Sequence, residues 1–239
     1  MKQGLIAIVA VFLFGLGVLV PNSTKAESEM PDMFMNAKKA MMMPMSFIEG
    51  NGIIKTERRN VPNYTSLIIE GPFEVSVDTK GEPMIRITTD ENLISHVLTE
   101  AEGNMLKIYA HAGFETNSTL KIEVHNKNLS KIVATDRANV DIDNLNAPRF
   151  EVSAADETDI NLSGKATEFE AYLSDHARLK ASHLQTKNAK IVQMGNSHAE
   201  VYASQRLDLD VTDAAKLFYY GKPAIVNKTV TGTAQLNQR

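Results

Sequence analysis

Through the second half of the chain, apolar and polar residues alternate in short runs broken by small polar turns. The same arrangement is written six times. Anchored on the first apolar residue after each turn, the copies fall on Val140, Ile160, Leu179, Val201, Leu217 and Leu236, at spacings of 20, 19, 22, 16 and 19 residues. Two residues before each anchor stands a small residue: Ala138, Thr158, Ala177, Ala199, Ala215 or Ala234. Four before it stands Asp136, Asp156, Asp175, Ser197, Asp213 or Gly232. One such unit cannot bury its own apolar face, so a fixed period near 20 with strand-type alternation predicts an all-β chain stacked as a parallel β-solenoid. Pairs such as Val140 and Ile142, or Ile160 and Leu162, are expected to point inward, and Asp141, Lys180 and Glu200 outward. Val133, Val152, Tyr172 and Leu209 stand ahead of the turns.

The preceding stretch is strand-like without the period. Ser66–Glu70 and Phe73–Asp78 flank a kink at Gly71-Pro72, and Met84–Thr88, Met105–Tyr109 and residues 119–124 alternate. Asp90-Glu91-Asn92 reads as the start of a single helical turn with Leu93 and Ile94, capped by an acidic side chain. Gly113–Ser118 reads as a polar loop. This part is expected to be an irregular strand cap from which the solenoid grows.

The N-terminus divides differently. Lys2, the apolar run Leu5–Val20 and the small-x-small site Thr24-Lys25-Ala26 predict a signal peptide over residues 1–26 and hence an exported chain, in the periplasm, at the outer surface or secreted. Residues 27–49 are a Met-rich linker, with seven Met between Met30 and Met45. Clustered thioethers suit Cu(I) or Ag(I), and they also adapt to any apolar surface. Residues 50–239 are the domain.

Composition closes several routes. Cysteine is absent, so disulfide, thiolate and thiol-nucleophile chemistry are excluded. The net charge of −4 becomes −6 once Lys2 and Lys25 are removed, and no Lys/Arg block offsets it, which argues against nucleic acid as a partner. No metalloprotease, nucleophile-elbow or phosphate-loop motif is present.

Several motifs resemble the head GIN domains of auto-transporter adhesins. The likeness starts at Gly50-Asn51-Gly52 and runs through Glu57–Val61, Tyr64 and Leu67. It continues in Asp90–Ile94 and Glu102–Ile108, and is sharpest at Leu217–Pro223 and Val226–Gly232. The resemblance implies a fold like the right-handed parallel β-helices and an exported envelope or surface role. It brings no catalytic residues. Where that family usually writes Ser-Gly-Ser-Gly-Asp at the repeated turn, this chain puts Asp for the first Gly in four of six copies. Asp tolerates the left-handed backbone better than most residues. The chain carries no barrel translocator, coiled-coil stalk or sorting tail, so a self-contained autotransporter is not expected.

Three functions are open at this level. The first is a non-enzymatic, adhesin-like module binding an envelope or surface ligand, protein or polysaccharide. The second is a polysaccharide-active β-helix enzyme with bases among Arg137, Lys165, Arg178 and Lys216. The third is a metal-binding envelope protein. His176 and His198, both three before their anchors, would stack on one edge and offer paired imidazoles. Asp136, Asp156 and Asp175 would stack about 4.8 Å apart, where a hard cation such as Ca(II) relieves their repulsion. Side chains that cap their own turns do the same work without a metal.

Overall fold

A computed structural model of the chain describes residues 47–110, 113–118 and 120–239. The expected signal peptide, the Met cluster and His111 lie outside the described residues. From Phe47 the first strands are β1 (Phe47–Glu49), β2 (Ile54–Asn60), β3 (Ser66–Glu70), β4 (Glu74–Asp78) and β5 (Met84–Asp90). After a 3₁₀ turn at Ile94–His96 come β6 (Val97–Glu102), β7 (Met105–Ala110), β8 (Gly113–Glu115) and β9 (Lys121–His125). The repeats supply β10 (Lys131–Thr135) and three long strands that bend round a corner: β11 (Asn139–Ala154), β12 (Asp159–Leu173) and β13 (Arg178–Gln193). The chain ends in β14 (His198–Tyr202), β15 (Arg206–Val211), β16 (Lys216–Tyr220), β17 (Ile225–Val230) and β18 (Gln235–Gln238).

From Lys131 onward the chain is a parallel β-solenoid of about five turns. One column of paired positions runs Lys131, Glu151, Glu170, Lys190, Asp208, Asn227, one residue per rung. Beyond the turn, the facing column runs Val140, Ile160, Leu179, Ala199, Leu217, Leu236. The fourth anchor is therefore Ala199, not Val201, which pairs with Ala181 and Tyr219. Ala199 and Val201 are both buried and two residues apart, so the apolar pattern fits two registers and only the rung pairing selects one. With the shift, Ser197 joins the small inward column and is fully buried, and Gly195 takes the corner.

The core is a set of stacked columns. Ile132, Val152, Ala171, Ile191 and Leu209 are buried in succession on one face. Phe150 and Phe169 stack beside Ala189 and Leu207. Ile142 and Leu162 are buried as expected, whereas Val133 and Tyr172 stand in the outward register. At the last rung the column after Leu209 holds Lys228, a charge at an inward position of an edge strand, a device that discourages further strand addition.

The N-terminal cap is irregular in chain order and more regular in space. β3 pairs in parallel with both β10 and β7, and β4 with both β11 and β9. Two further rungs thus continue the stack, with the earlier one in sequence placed between the other two layers. Antiparallel β6 on β7 and β5 on β9 then close that end, and β2 covers β5. The loop expected at Gly113–Ser118 contains β8, paired with β1.

Asp90 does not cap the helical turn, which has no side-chain cap. Its carboxylate is buried and accepts from Thr116 Oγ1 at 2.5 Å and the Gly52 N–H at 2.5 Å. Asn92 accepts from the Asn51 N–H at 3.0 Å and donates to the Glu49 carbonyl at 2.8 Å. A Cβ at Gly50 would lie 2.6 Å from the Asp90 carboxylate, so that glycine is fixed by close approach. The Asp-Glu-Asn and Gly-Asn-Gly motifs are one clamp. Hydrogen bonding, from Thr116 first, holds the Asp90 carboxyl below its ordinary range, so the clamp is intact at neutral pH and is lost in acid as that carboxyl takes up its proton.

Tyr64, 2% exposed, gives a second pH signature. Burial pushes its phenol up to about 12, with Asn126 acting slightly the other way. Below about pH 10 the phenol is neutral folded or unfolded and contributes no slope. Between about 10 and 12 only the unfolded chain releases the proton, so stability falls with rising pH, by up to about 3 kcal/mol. Denaturant melts of wild type and Tyr64→Phe across this window test it: the variant should lose most of the slope.

Candidate binding groove

The recurrent turn is the first place where side chains gather. Asp136, Asp156, Asp175 and Asp213 all have φ between 56° and 60°, and Gly195 and Gly232 have φ near 70°. The column is a left-handed corner repeated in each rung, occupied by the residues that reach it at least cost. Backbone bonds lace successive corners together: the His176 N–H donates to the Asp156 carbonyl at 2.9 Å and the Asn196 N–H to the Asp175 carbonyl at 2.7 Å. The carboxylates serve the turns as well. Asp156 Oδ2 accepts from the Asp136 N–H at 3.3 Å, Asp175 Oδ2 from Ser174 Oγ at 2.7 Å, and Asp213 Oδ2 from the Gly195 N–H at 2.9 Å. Among the described residues no group of three or more His, Asp or Glu is placed to hold a metal ion. Turn capping gives a direct expectation. Millimolar calcium and then chelator should leave the melting midpoint of the wild type unmoved, and Asp156→Asn should respond no differently; a calcium-dependent rise abolished by the variant would refute capping as the column's role.

The two histidines do not stack. His176 lies beside Asn196 of the next corner, 3.4 Å from its Nδ2, while His198 pairs in register with Arg178 and Lys216. The one-copy register shift had made them look equivalent. His198 instead packs on Phe218, ring centroids 5.4 Å apart. The proposed bases are likewise scattered. Arg137 is in a left-handed turn, Arg178 stands 3.5 Å from Asp159 Oδ2, Lys216 is two rungs beyond Arg178, and Lys165 is on the far corner of the coil.

That far corner holds a groove. Where β11, β12 and β13 bend, Asn146, Lys165 and Gln185 pair across successive rungs as one outward ridge. Thr167 and Lys187, two residues further along their strands, belong to a second. Between them runs the inward column Ala147, Ala166 and Thr186, whose small side chains recess the surface. The concavity measures about 380 Å³, and Tyr202 and Ser204 close one end. Thr186 Oγ1 donates to the Tyr202 carbonyl, and Ser204 Oγ to the Thr186 carbonyl at 3.0 Å, which fixes that end wall.

No acidic side chain lines the groove, in a chain with 29 Asp and Glu. Two other concave surfaces carry internally spent charge. In one, His125 faces Asp78 at 3.5 Å, Asn161 donates to Asp141 and Ser163 to Asp143. In another, Arg206 and then Asn227 bond Asp208, whose carboxyl is held below its ordinary range by the guanidinium first. Lys165 and Lys187 have no acidic partner within ion-pair distance among the described residues. Lys165 was singled out in the sequence for another reason, as a base. Asn146, Gln185, Lys187 and Tyr202 were not, although outward positions recurring at the rung spacing were readable.

The family model described as "Putative auto-transporter adhesin, head GIN domain" matches residues 63–223. The chain belongs to this family. The head GIN match takes in the groove and the corners up to Asp213, and it stops before β17. Among solved structures, a "putative adhesin" from Bacteroides fragilis superposes with a TM-score of 0.65 at 16% identity, covering 80% of this chain and 100% of its own. A "Putative lipid binding protein" from Parabacteroides distasonis gives 0.54 at 20% identity, with 81% and 100% covered. A second P. distasonis protein, a "putative adhesin", gives 0.52 at 17% identity over the same shares. At such identities these neighbours show a shared fold. No curated protein matches the chain in sequence.

Proposed function

We propose that this head GIN domain is an exported, non-enzymatic binding module of a bacterial envelope or cell surface that holds an extended partner across its rungs. The observation that carries the reading is the stack itself. Most strand positions of the interior rungs pair with a neighbour on both sides, so the side walls of the solenoid offer fixed columns of side chains. Columns at constant spacing suit a partner that is itself long and repetitive. Family membership supports the export and surface role, and the position of Lys165 on a different corner of the coil from Arg178 and Lys216 supports a binder over an enzyme built on these bases together.

The test is retention of the labelled chain 27–239 on intact envelopes of the producing cell, with fractionation of the native protein. Saturable retention of a chain starting at Glu27 is expected. Absence of any retention would sink the binding reading, and reducing-sugar release from pectin-like or alginate-like polymers would replace it with an enzyme.

A further inference from the structure

We infer that the groove at the far corner binds a strand of carboxylate-bearing polysaccharide, with Lys165 and Lys187 receiving its charges. This rests on the binding-module reading and names the ligand class for it. The two ammonium groups stand on opposite ridges and on consecutive rungs, with only small inward residues between them. A charge on either ridge meets no protein carboxylate, so an incoming anion displaces water and no internal partner. Asn146 and Gln185 supply amide donors and acceptors on the same ridge as Lys165, and Thr167 and Ser204 supply hydroxyls. Amide, hydroxyl and ammonium together match a polyhydroxylated acid better than a bare phosphate or an apolar chain.

An acidic peptide is the competing polyanion, and the backbone argues against it. Extended peptides gain affinity chiefly by adding a strand to an open sheet edge. Here the middle strand of the groove, β12, is paired on both sides, with β11 and β13. Lys165, Ala166 and Thr167 therefore offer a peptide main chain no open edge. A glycan needs only side chains, and the groove supplies those. Its axis runs across the rungs, so a polymer laid along it meets a polar side chain of the Asn146, Lys165 and Gln185 ridge at each step of about 4.8 Å.

The experiment titrates the chain 27–239 with polygalacturonate, neutral dextran and poly-glutamate by calorimetry at about 0.15 M salt, where loose surface attraction is largely screened. Polygalacturonate should bind, dextran should not, and poly-glutamate should bind at least about tenfold more weakly. The double variant Lys165→Glu with Lys187→Glu should weaken polygalacturonate binding by about tenfold or more with an unchanged melting midpoint, since both side chains are exposed. Lys121→Glu, exposed on β9 and away from the groove, should change it less than about twofold. Equal loss in the Lys121 variant, equal binding of poly-glutamate, or no binding of polygalacturonate would each overturn the assignment. Envelope retention separates the two levels: retention unchanged in the double variant overturns the groove while leaving the binding module standing, and retention absent in wild type removes both.

Discussion

Alanine at Gly164 should cost roughly 3–5 kcal/mol, among the largest losses available from one methyl group in this chain. Two effects coincide there. The backbone has φ of +122°, a region that side chains rarely enter, and a Cβ would sit 2.2 Å from the Leu145 carbonyl oxygen and 2.5 Å from its nitrogen. Neither atom can move cheaply, because Leu145 and Gly164 are register partners and Gly164 pairs in turn with Leu184. The pairing slips just before this point, between Ile142 and Leu145 on one side and Asn161 and Ser163 on the other, so the coil rounds its corner where the rungs approach most closely. Gly81→Ala is the control. It has φ of +79° but nothing within 4 Å of the added atom, and should cost only about 1–2 kcal/mol. Urea midpoints at constant slope separate the two. Equal losses would mean that backbone conformation alone, and not the approach of rungs, decides Gly164.

Phe169→Ala should cost about 3–5 kcal/mol, or about 10 °C in melting midpoint for a domain of this size. Phe169 is 1% exposed and lies in register between Phe150 and Ala189. Its neighbour on one side is already small, so the ring's removal opens space that the column has no side chain to fill. Stacked strands also hold their spacing by backbone bonds, which stops the rungs from closing over the void. Phe169→Leu should recover most of the loss, to under about 1.5 kcal/mol. Asn161→Ala, outward on the same strand and bonded at its Nδ2 to Asp141, should cost less than about 0.5 kcal/mol. A similar loss at Asn161 and Phe169 would contradict the inward and outward faces of β12.

The sequence by itself determined that a solenoid forms, which residues of most copies face inward, and where five of its six corners lie. That information is local: a period of 20 and a strand alternation of two are both visible along the chain. Val140, Ile160, Leu179 and Leu217 stand where the alternation puts them. The fourth copy failed because Ala199 and Val201 both satisfy the inward pattern two residues apart, and only pairing with Leu179 and Leu217 distinguishes them. A wrong register there made His176 and His198 look like a pair. The N-terminal rungs were illegible for a different reason. β3 and β4 are stacked between later strands, and no pattern along the chain encodes which strand will lie above which. The same holds for Asp90, which reads as a helix cap in sequence and is spent on Gly52 and Thr116, far from it along the chain. The groove belongs wholly to the tertiary structure: its ridges are built from single residues about 20 apart, and an acid-free lining exists only once three rungs are stacked and the acids around them have turned elsewhere.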